Sequence, residues 1–446
     1  MANKKFWLGI LAIALVLGMT VAGCSDGSDN NGGNNHIDKP GSTGGYNLSG
    51  TISITGTAKV GQILTANTGS LGGSGSISYQ WKRGNSADAI NTNITNATES
   101  NYILSSADFG KYVTVSVTRS GYDGNVSSTP IGPIADVMDW IQVDNSIFET
   151  NSVKGVAYNG TNLWIAVGER GILAYSENGE SWTKVDLSGS IFAPVSTYAV
   201  NINAIAYGNN KWIAVGDRGK AATSTNGTTW TAVDSSFGTS GINCVAYSNN
   251  RWIIGGGSGY MKTSIDGGET WTSVTNPIGY NAINSVAYGN NRWVAVAANG
   301  KMATSVDGQN WTAIDVTSIF TYISGSSQTV QSIYTVAYAN NQWIAAGGAG
   351  IIATSTNGQN WTGVTSGVVS IKTVAYGNNK WVAAGGLGLL GVGIVPAGIA
   401  VSMDGINWTS VANTTFDDNQ INGIAFGNNK WVAVGDNSKI AYANDN

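Results

Sequence analysis

Apolar and polar residues alternate with a period of two in short runs along most of the chain, and Gly, Asn, Asp and Ser separate these runs. Residues 112–118 (Tyr-Val-Thr-Val-Ser-Val-Thr) are an example, and residues 283–288 (Ile-Asn-Ser-Val-Ala-Tyr) are another. This pattern is typical of short strands joined by tight turns, and no folded segment shows the pattern of a long amphipathic helix. We therefore predict an all-β protein.

A pattern in residues 139–446 occurs seven times. Each repeat averages 44 residues, carries two tryptophans and divides into four short strands, which suits the blade of a β-propeller. The first tryptophan of each repeat follows an Asn-Asn-like turn: Trp164, Trp212, Trp252, Trp293, Trp343, Trp381 and Trp431. The second follows a Ser-x-(Asp/Asn)-Gly turn in six repeats, and Trp140 is the seventh member: Trp182, Trp230, Trp271, Trp311, Trp361, Trp408 and Trp140.

The two ends of the repeat region complement each other. The seventh repeat stops within residues 441–446, inside its third turn, and lacks a fourth strand. Residues 139–143 (Asp-Trp-Ile-Gln-Val) supply a strand of the missing type at the front. A strand that completes the last sheet removes an open edge. The predicted fold is a seven-bladed β-propeller over residues 139–446, closed by this N-terminal strand.

Residues 47–135 are expected to form a separate small β-sandwich. Trp81 lies in a run that resembles strand C of an immunoglobulin-like domain. The segment from Asp108 to Tyr112 (Asp-Phe-Gly-Lys-Tyr) resembles the corner whose tyrosine ties strand F to the preceding loop. Thr114 stands where the antibody-type cysteine would be. The resemblance implies an immunoglobulin-like spacer with Trp81 and Tyr112 in its core.

The first 46 residues resemble a lipoprotein signal and tether. Lys4 and Lys5 precede an apolar run of 17 residues, and small residues lead directly into Cys24. We predict a signal peptide at residues 1–23, lipidation of Cys24, and a flexible Gly/Ser/Asn-rich tether at residues 24–46. This predicts a bacterial cell-envelope protein that contacts the membrane through its lipid alone, in the outer membrane or at the cell surface rather than the inner membrane.

Charge and composition narrow the range of functions. The chain is 42% hydrophobic and only 11% charged, and removal of Lys4 and Lys5 leaves 20 basic against 26 acidic side chains. A net negative chain lacks the basic surface that nucleic-acid binding requires. We expect no nucleic-acid partner and a monomer.

The turns before the second tryptophans resemble Asp-box (BNR) repeats. The turn from Ser264 to Trp271 has the full S-x-D-x-G-x-x-W spacing, and the other five are one residue shorter. Asp-box propellers include sialidases, sortilin-type receptors and photosystem II assembly factors, so the resemblance implies the fold rather than one function. Within each turn we expect the Asp or Asn to bond its own backbone and the tryptophan to seal the sheet below.

The sequence offers little for catalysis. Its single histidine, His36, lies in the tether, which excludes Ser-His, Cys-His and His-metal sites from the folded domains. Cys244 occupies a small core position of its repeat and is expected to be buried and inert. No cofactor or metal is expected. A glycoside hydrolase that uses two carboxylates stays open as an alternative, because their separation cannot be read from sequence.

Length variation points to one face. Links between repeats span 20 to 32 residues from the second tryptophan to the next first one, and the sixth repeat has a 9-residue apolar, Gly-rich insertion within 385–398. In an up-and-down sheet, the links between repeats lie at the same end as the turns between the second and third strands (the 2–3 turns). Loops of variable length on a rigid scaffold are the usual place for ligand recognition. The candidate ligand residues at this end are Asp436, Glu169, Arg170, Asp217, Arg218, Asp144, Asp186, Asp234, Phe148, Phe192, Phe237 and Phe320.

Each group of candidates has two interpretations. The charged residues form either solvated turns or a polar pocket, and the link aromatics, which also include Tyr280 and Phe416, either fill gaps between sheets or stack on sugars. The predicted function is non-catalytic binding of a protein or glycan through this face. A glycoside hydrolase acting on the carboxylates of repeats 7, 1 and 2, or an envelope assembly scaffold, are the alternatives.

Overall fold

The computed structural model describes residues 46–135, 138–143, 147–187, 192, 200–275, 277–324, 326–365, 370–386, 388–389, 394–395, 398–411 and 415–445. The predicted signal peptide and Cys24 lie outside these residues, as does nearly all of the tether. Residues 47–446 belong to one compact unit. Among the described residues, no helical segment has the length and hydropathy of a transmembrane span.

The N-terminal region contains a three-stranded antiparallel sheet in the order β2-β3-β6, a four-stranded antiparallel sheet in the order β5-β4-β7-β9, and the two-stranded pair β1-β8. Trp81 is fully buried in its core, and its indole N–H donates to the carbonyl of Glu99 (2.9 Å). A 3-10 turn, Ser106–Asp108, precedes β7. The strands are β1 (Tyr46–Asn47), β2 (Gly50–Thr55), β3 (Ile63–Leu71), β4 (Ile77–Gly84), β5 (Thr92–Asn93), β6 (Asn101–Ile103), β7 (Tyr112–Arg119), β8 (Tyr122–Asp123) and β9 (Val126–Ser127).

The corner before β7 differs from the expectation in one respect. The hydroxyl that ties it belongs to Tyr102, which donates to the Asp108 carboxylate (2.6 Å), whereas Tyr112 is half-buried at the start of β7. Asp108 is fully buried and also accepts from the Ser105 backbone N–H and from Arg83. The buried carboxylate therefore organises this corner.

The described residues from 141 to 445 form seven four-stranded antiparallel sheets, one per predicted repeat. The strands of repeats one to three are β11 (Val153–Tyr158), β12 (Trp164–Gly168), β13 (Leu173–Ser176), β14 (Thr183–Lys184); β15 (Ile202–Gly208), β16 (Lys211–Gly216), β17 (Lys220–Ser224), β18 (Thr231–Asp234); and β19 (Ile242–Ser248), β20 (Arg251–Gly256), β21 (Met261–Ser264), β22 (Thr272–Ser273). They follow β10 (Ile141–Gln142).

Repeats four to seven follow the same plan, with an extra hairpin in the link after repeat four and another inside repeat six. Their strands are β23 (Ile283–Gly289), β24 (Arg292–Ala297), β25 (Lys301–Ser305), β26 (Thr312–Asp315); the hairpin β27 (Thr321–Ser324), β28 (Ser327–Val330); β29 (Ile333–Ala339), β30 (Gln342–Gly347), β31 (Ile351–Ser355), β32 (Thr362–Thr365); β33 (Ile371–Gly377), β34 (Lys380–Gly385), β35 (Gly388–Leu389), β36 (Ile394–Val395), β37 (Gly398–Ser402), β38 (Thr409–Val411); and β39 (Ile421–Gly427), β40 (Lys430–Gly435), β41 (Ile440–Asn444).

The first strands of the repeats form an inner ring. Each contacts the first strand of the next repeat, in the order β11, β15, β19, β23, β29, β33, β39, and β39 in turn contacts β11. Between repeats seven and one, Asn422 donates its side-chain N–H to the carbonyl of Val153 (3.1 Å). A Cβ at Gly427 would collide with the ring of Tyr158, so the close approach there requires glycine.

The front strand completes the seventh sheet. β10 pairs antiparallel with β41, with Ile141 opposite Tyr442 and Gln142 opposite Ala441. This sheet has the order β10-β41-β40-β39, so its outer strand comes from the beginning of the repeat region and its other three from the end. The pairing expected at the seam is present.

Candidate functional site

The links and the 2–3 turns of all seven repeats lie at one end of the sheets. In every repeat the first backbone N–H after the second strand donates to the carbonyl of the residue just before or at the start of the first strand, at 2.9 to 3.1 Å. The donor and acceptor pairs are Glu169–Ser152, Asp217–Asn201, Gly257–Gly241, Ala298–Ala282, Gly348–Ser332, Gly386–Ser370 and Asp436–Gln420. We call this end the variable face, because it carries the links of unequal length.

The three predicted acids at the 2–3 turns are bound to their own inner strands. Asp217 accepts from the side-chain amide of Asn203 (2.8 Å), and Asp436 accepts from that of Asn422 (2.9 Å). Glu169 accepts from the Ser152 backbone N–H (3.2 Å) and lies 3.9 Å from the ammonium of Lys154. These carboxylates orient the side chains at the beginning of the inner strands.

Sequence reasoning missed a set of four asparagines between neighbouring inner strands, two of which donate to these acids. The second residue of the inner strand is asparagine in four repeats, and its side-chain N–H donates to the first carbonyl of the next inner strand at 2.8 to 3.1 Å. The pairs are Asn203–Ile242, Asn243–Ile283, Asn284–Ile333 and Asn422–Val153. The repeated asparagine was the available signal, but its partner lies 39 or more residues away in sequence.

The other three repeats have Lys154, Tyr334 and Lys372 at this position. The Lys372 ammonium lies 3.6 Å from the centre of the Tyr334 ring. Burial lowers the pKa of Lys372, and the Asp436 carboxylate opposes this shift. The variable face thus has half-buried, oriented cations and amides around its inner ring.

The two predicted arginines occupy a constrained turn position. Arg170 has a φ of 56° and Arg218 one of 55°, in the left-handed region that favours glycine, and both are exposed. Ser258 and Ala349 take the same backbone conformation in repeats three and five. Because four repeats share this backbone conformation, it belongs to the turn itself, which presents the two arginine side chains to solvent.

The structure groups some of the remaining candidates and separates others. Arg218, Asp234 and Phe237 line one open cleft of about 350 Å³ at repeat two. Asp234 accepts from the Ser236 backbone N–H (2.8 Å). Asp186 follows the outer strand of repeat one, and Asp144 lies outside the described residues.

The link phenylalanines are buried between repeats. Their exposed fractions are 0% for Phe148, 1% for Phe192, 4% for Phe237 and 0% for Phe320 and Phe416. A ring that is almost fully buried cannot stack on a sugar, so of the two interpretations the structure favours packing between sheets. Tyr280 differs from them, because it is 91% exposed.

The longest link adds an exposed hairpin to the variable face. β27 pairs with β28, from Thr321–Val330 to Ser324–Ser327. Tyr322, Ile323 and Val330 are 39%, 62% and 39% exposed. Together with Tyr280 in the preceding link, they give the links on both sides of repeat four an apolar surface.

The insertion in repeat six is described only in part. Gly388 pairs with Val395 and Leu389 with Ile394 in a two-stranded sheet. Most other residues of the insertion lie outside the described ranges.

The Ser-x-(Asp/Asn)-Gly turns are hydrogen-bonded within themselves at the opposite face. The Ser305 hydroxyl donates to Asp307 (2.9 Å) and accepts from the Gly308 N–H (2.9 Å). Backbone N–H groups of Asn310 and Gln309 hold the pKa of Asp307 well below its usual range. The turn carboxylates and amides therefore have a structural role.

Groups suited to chemistry are sparse in the described part of the chain. No group of three His, Cys, Asp or Glu is arranged to hold a metal there. Burial raises the pKa of the Cys244 thiol to about 12, and this thiol is placed to donate weakly to the Gly255 carbonyl (3.6 Å). Such a thiol is a poor nucleophile.

Comparison with known proteins supports the fold. No family model and no curated protein matches the sequence. Similar solved structures include YCF48 bound to a D1 peptide (16% identity, TM-score 0.52, 69% of this chain and 95% of that one) and YCF48 from Cyanidioschyzon merolae (16%, 0.51, 69% and 98%). A catalytically inactive virginiamycin B lyase from Staphylococcus aureus with quinupristin is also similar (8%, 0.55, 69% and 99%).

The chain contains a β-propeller. At these identities the likeness extends to the fold alone, and it agrees with the ring of four-stranded sheets. The propeller is built from sequence repeats. Its variable face and its inner ring of first strands form the candidate site.

Proposed function

We propose that this chain is a non-catalytic cell-envelope lipoprotein that displays a seven-bladed β-propeller on an immunoglobulin-like spacer. The propeller binds a protein ligand through its variable face. The seven sheets and the β10–β41 pairing support the closed ring. The pattern leading into Cys24 supports the anchor, and the internally bonded Ser-x-(Asp/Asn)-Gly turns support the assignment as Asp-box repeats.

The exposed hairpin is the observation that carries the proposal. Ile323 is 62% exposed and Tyr280 is 91% exposed on a chain that is otherwise rich in polar turns. Tyr322, Ile323 and Val330 lie in one hairpin, and neighbouring exposed apolar side chains on a polar face favour a protein-interaction surface. The exposed, left-handed Arg170 and Arg218 and the oriented Asp217 provide polar contacts on the same face.

A protein ligand fits this face better than a glycan. The buried phenylalanines remove the predicted stacking ring, and the exposed side chains that remain include aliphatic ones such as Ile323 and Val330. One of the similar propellers has a bound D1 peptide, so this fold accommodates a peptide chain. An envelope assembly scaffold is one form of such a binding protein.

The test is capture from a detergent extract of the envelope by the full chain. We expect the wild type to capture one defined protein, and the Tyr322→Ser/Ile323→Ser variant to lose it while the thermal midpoint stays unchanged. The matched control is Val306→Ser, which removes a 62% exposed apolar side chain from a turn at the opposite face. The Asp217→Asn/Arg218→Ser variant tests whether the polar side chains of the variable face contribute to capture.

Two results would overturn the proposal. One is equal capture by the wild type and the hairpin variant. The other is hydrolysis of a glycoside that disappears in Asp436→Asn, which would favour the enzyme. Incorporation of labelled palmitate that is lost in Cys24→Ala tests the anchor separately.

A further inference from the structure

The N-terminal sandwich and the propeller are packed together near repeats six and seven. The Lys59 ammonium lies 2.7 Å from the Asp139 carboxylate. Phe109, only 7% exposed, belongs to the same buried cluster as Met138 and Trp140, which lie just before the closing strand β10. The loop before β7 is therefore held against the propeller.

A cleft remains open beside this contact. Lys111, Tyr112 and Asn85 line it from the sandwich, and Asn407, Trp408 and Thr409 line it from the 3–4 turn of repeat six. Its volume is about 490 Å³. This volume lies in the range of about 300–1,000 Å³ that is usual for small-ligand sites, and such sites are frequent between domains. We call it the interdomain cleft.

The lining side chains are oriented before any ligand binds. The Trp408 indole N–H donates to the Gly405 carbonyl (3.1 Å). Asn407 donates its side-chain N–H to Asp404 (2.7 Å), which leaves its amide oxygen as an acceptor. Lys111 donates to Asn85 (2.6 Å), and an ammonium has three donors, so it retains donors for a second acceptor.

These groups match the surface of a sugar chain. Half-buried aromatic rings such as Tyr112 and Trp408 present an apolar face with fixed geometry. Amide and hydroxyl groups of Asn407 and Thr409 can bond sugar hydroxyls. Lys111 is the one charged side chain among the described residues that line this cleft, and it selects a carboxylate.

We propose that the interdomain cleft binds an acidic oligosaccharide. Lys111 bonds the carboxylate of a uronic acid, while Trp408 and Tyr112 contact the sugar rings on either side. This site is separate from the protein-binding variable face, because the 3–4 turn of repeat six lies at the opposite end of the sheets. The protein would thus hold an envelope polysaccharide and a protein ligand at once.

The test is calorimetric titration of the full chain in detergent with a β-1,4-linked hexamer of glucuronic acid, with cellohexaose, which has the same linkage and ring stereochemistry, as the uncharged counterpart. We expect the acidic hexamer to bind more tightly. Trp408→Leu weakens its binding about tenfold. Lys111→Gln abolishes the preference for the acidic hexamer and leaves the cellohexaose affinity unchanged.

Matched controls separate binding from folding. Trp230→Leu removes the equivalent tryptophan of repeat two, which is also half-buried and donates to a glycine carbonyl (3.0 Å), so it reproduces the packing loss outside the cleft. Lys82→Gln removes a lysine from the same sandwich. Binding of neither hexamer, equal binding of both by the wild type, or equal effects of Trp230→Leu and Trp408→Leu would each overturn the proposal.

Discussion

The carboxylate of Asp307 illustrates how single residues stabilise the turns at the opposite face. It accepts from the backbone N–H groups of Gln309 and Asn310, both at 2.8 Å. In repeat five, Asn357 makes the same two contacts without a charge (2.9 Å). The stability of a turn with Asp therefore depends on pH, whereas the stability of a turn with Asn does not.

We predict that Asp307→Asn makes stability less sensitive to acid. The folded-state pKa of Asp307 lies below its unfolded value of 3.8, so the carboxylate stabilises the protein above that value and loses this contribution as the pH falls through the folded pKa. Urea denaturation between about pH 6 and pH 2 measures the effect. The converse Asn357→Asp should increase acid sensitivity, and identical pH profiles for both variants would contradict the prediction.

The sequence indicates where a candidate residue lies along the repeat, but not whether its side chain points inward or outward. The repeat pattern predicts that Asp217, Arg218, Asp234 and Phe237 lie at one end of the sheets, and in the structure Arg218, Asp234 and Phe237 line one cleft. It could not decide whether a link aromatic points inward or outward: Phe320 is fully buried, whereas Tyr280 is 91% exposed. A link without periodic structure has no pattern from which to infer that direction.

The last strand, β41, is fixed by a buried ion pair. Asp445 follows it and is 2% exposed. Its carboxylate lies 2.9 Å from the ammonium of Lys380 in repeat six and accepts from the Trp431 indole N–H (2.8 Å). The pair connects the seventh sheet to its neighbour.

We predict that Lys380→Met destabilises the protein by about 3–5 kcal/mol, because it leaves a buried carboxylate without its cation. Lys380→Met/Asp445→Leu should recover much of that loss. Lys439→Met is the control, since its partner Asp417 is 77% exposed and such pairs contribute about 0–1 kcal/mol. Urea denaturation at neutral pH compares them, and equal losses for Lys380→Met and Lys439→Met would contradict the prediction.

Element-level prediction depended on the regular spacing of tryptophans. Turn residues such as Asn290 and Asn291, which both have positive φ, marked the first turn of each repeat. The hairpin β27–β28 was not foreseen, because it occurs in a link without a counterpart in other repeats. No side chain of its two strands is buried, so the hairpin does not have the alternation of buried apolar and exposed polar positions that predicts a strand.

At the scale of the whole molecule, the sequence indicated the ring but not the contact between the N-terminal sheets and the repeat region. Ring closure leaves a signature in sequence, because one repeat is divided between both ends of the region. The Lys59–Asp139 ion pair and the burial of Phe109 against Trp140 leave none, since they join single residues that are distant in sequence and belong to no repeated pattern. The interdomain cleft therefore emerged only from the structure.

The central claim is that the first strand of the repeat region completes the last sheet, and a disulfide tests it directly. In Ile141→Cys/Tyr442→Cys the two positions face each other across β10 and β41. We predict that mild oxidation joins them in one disulfide, identified by mass spectrometry of the tryptic peptides, and raises the thermal midpoint. In Ile141→Cys/Tyr175→Cys, which uses the matching tyrosine of repeat one, no such bond should form. A disulfide in the second variant, or none in the first, would contradict the closed ring.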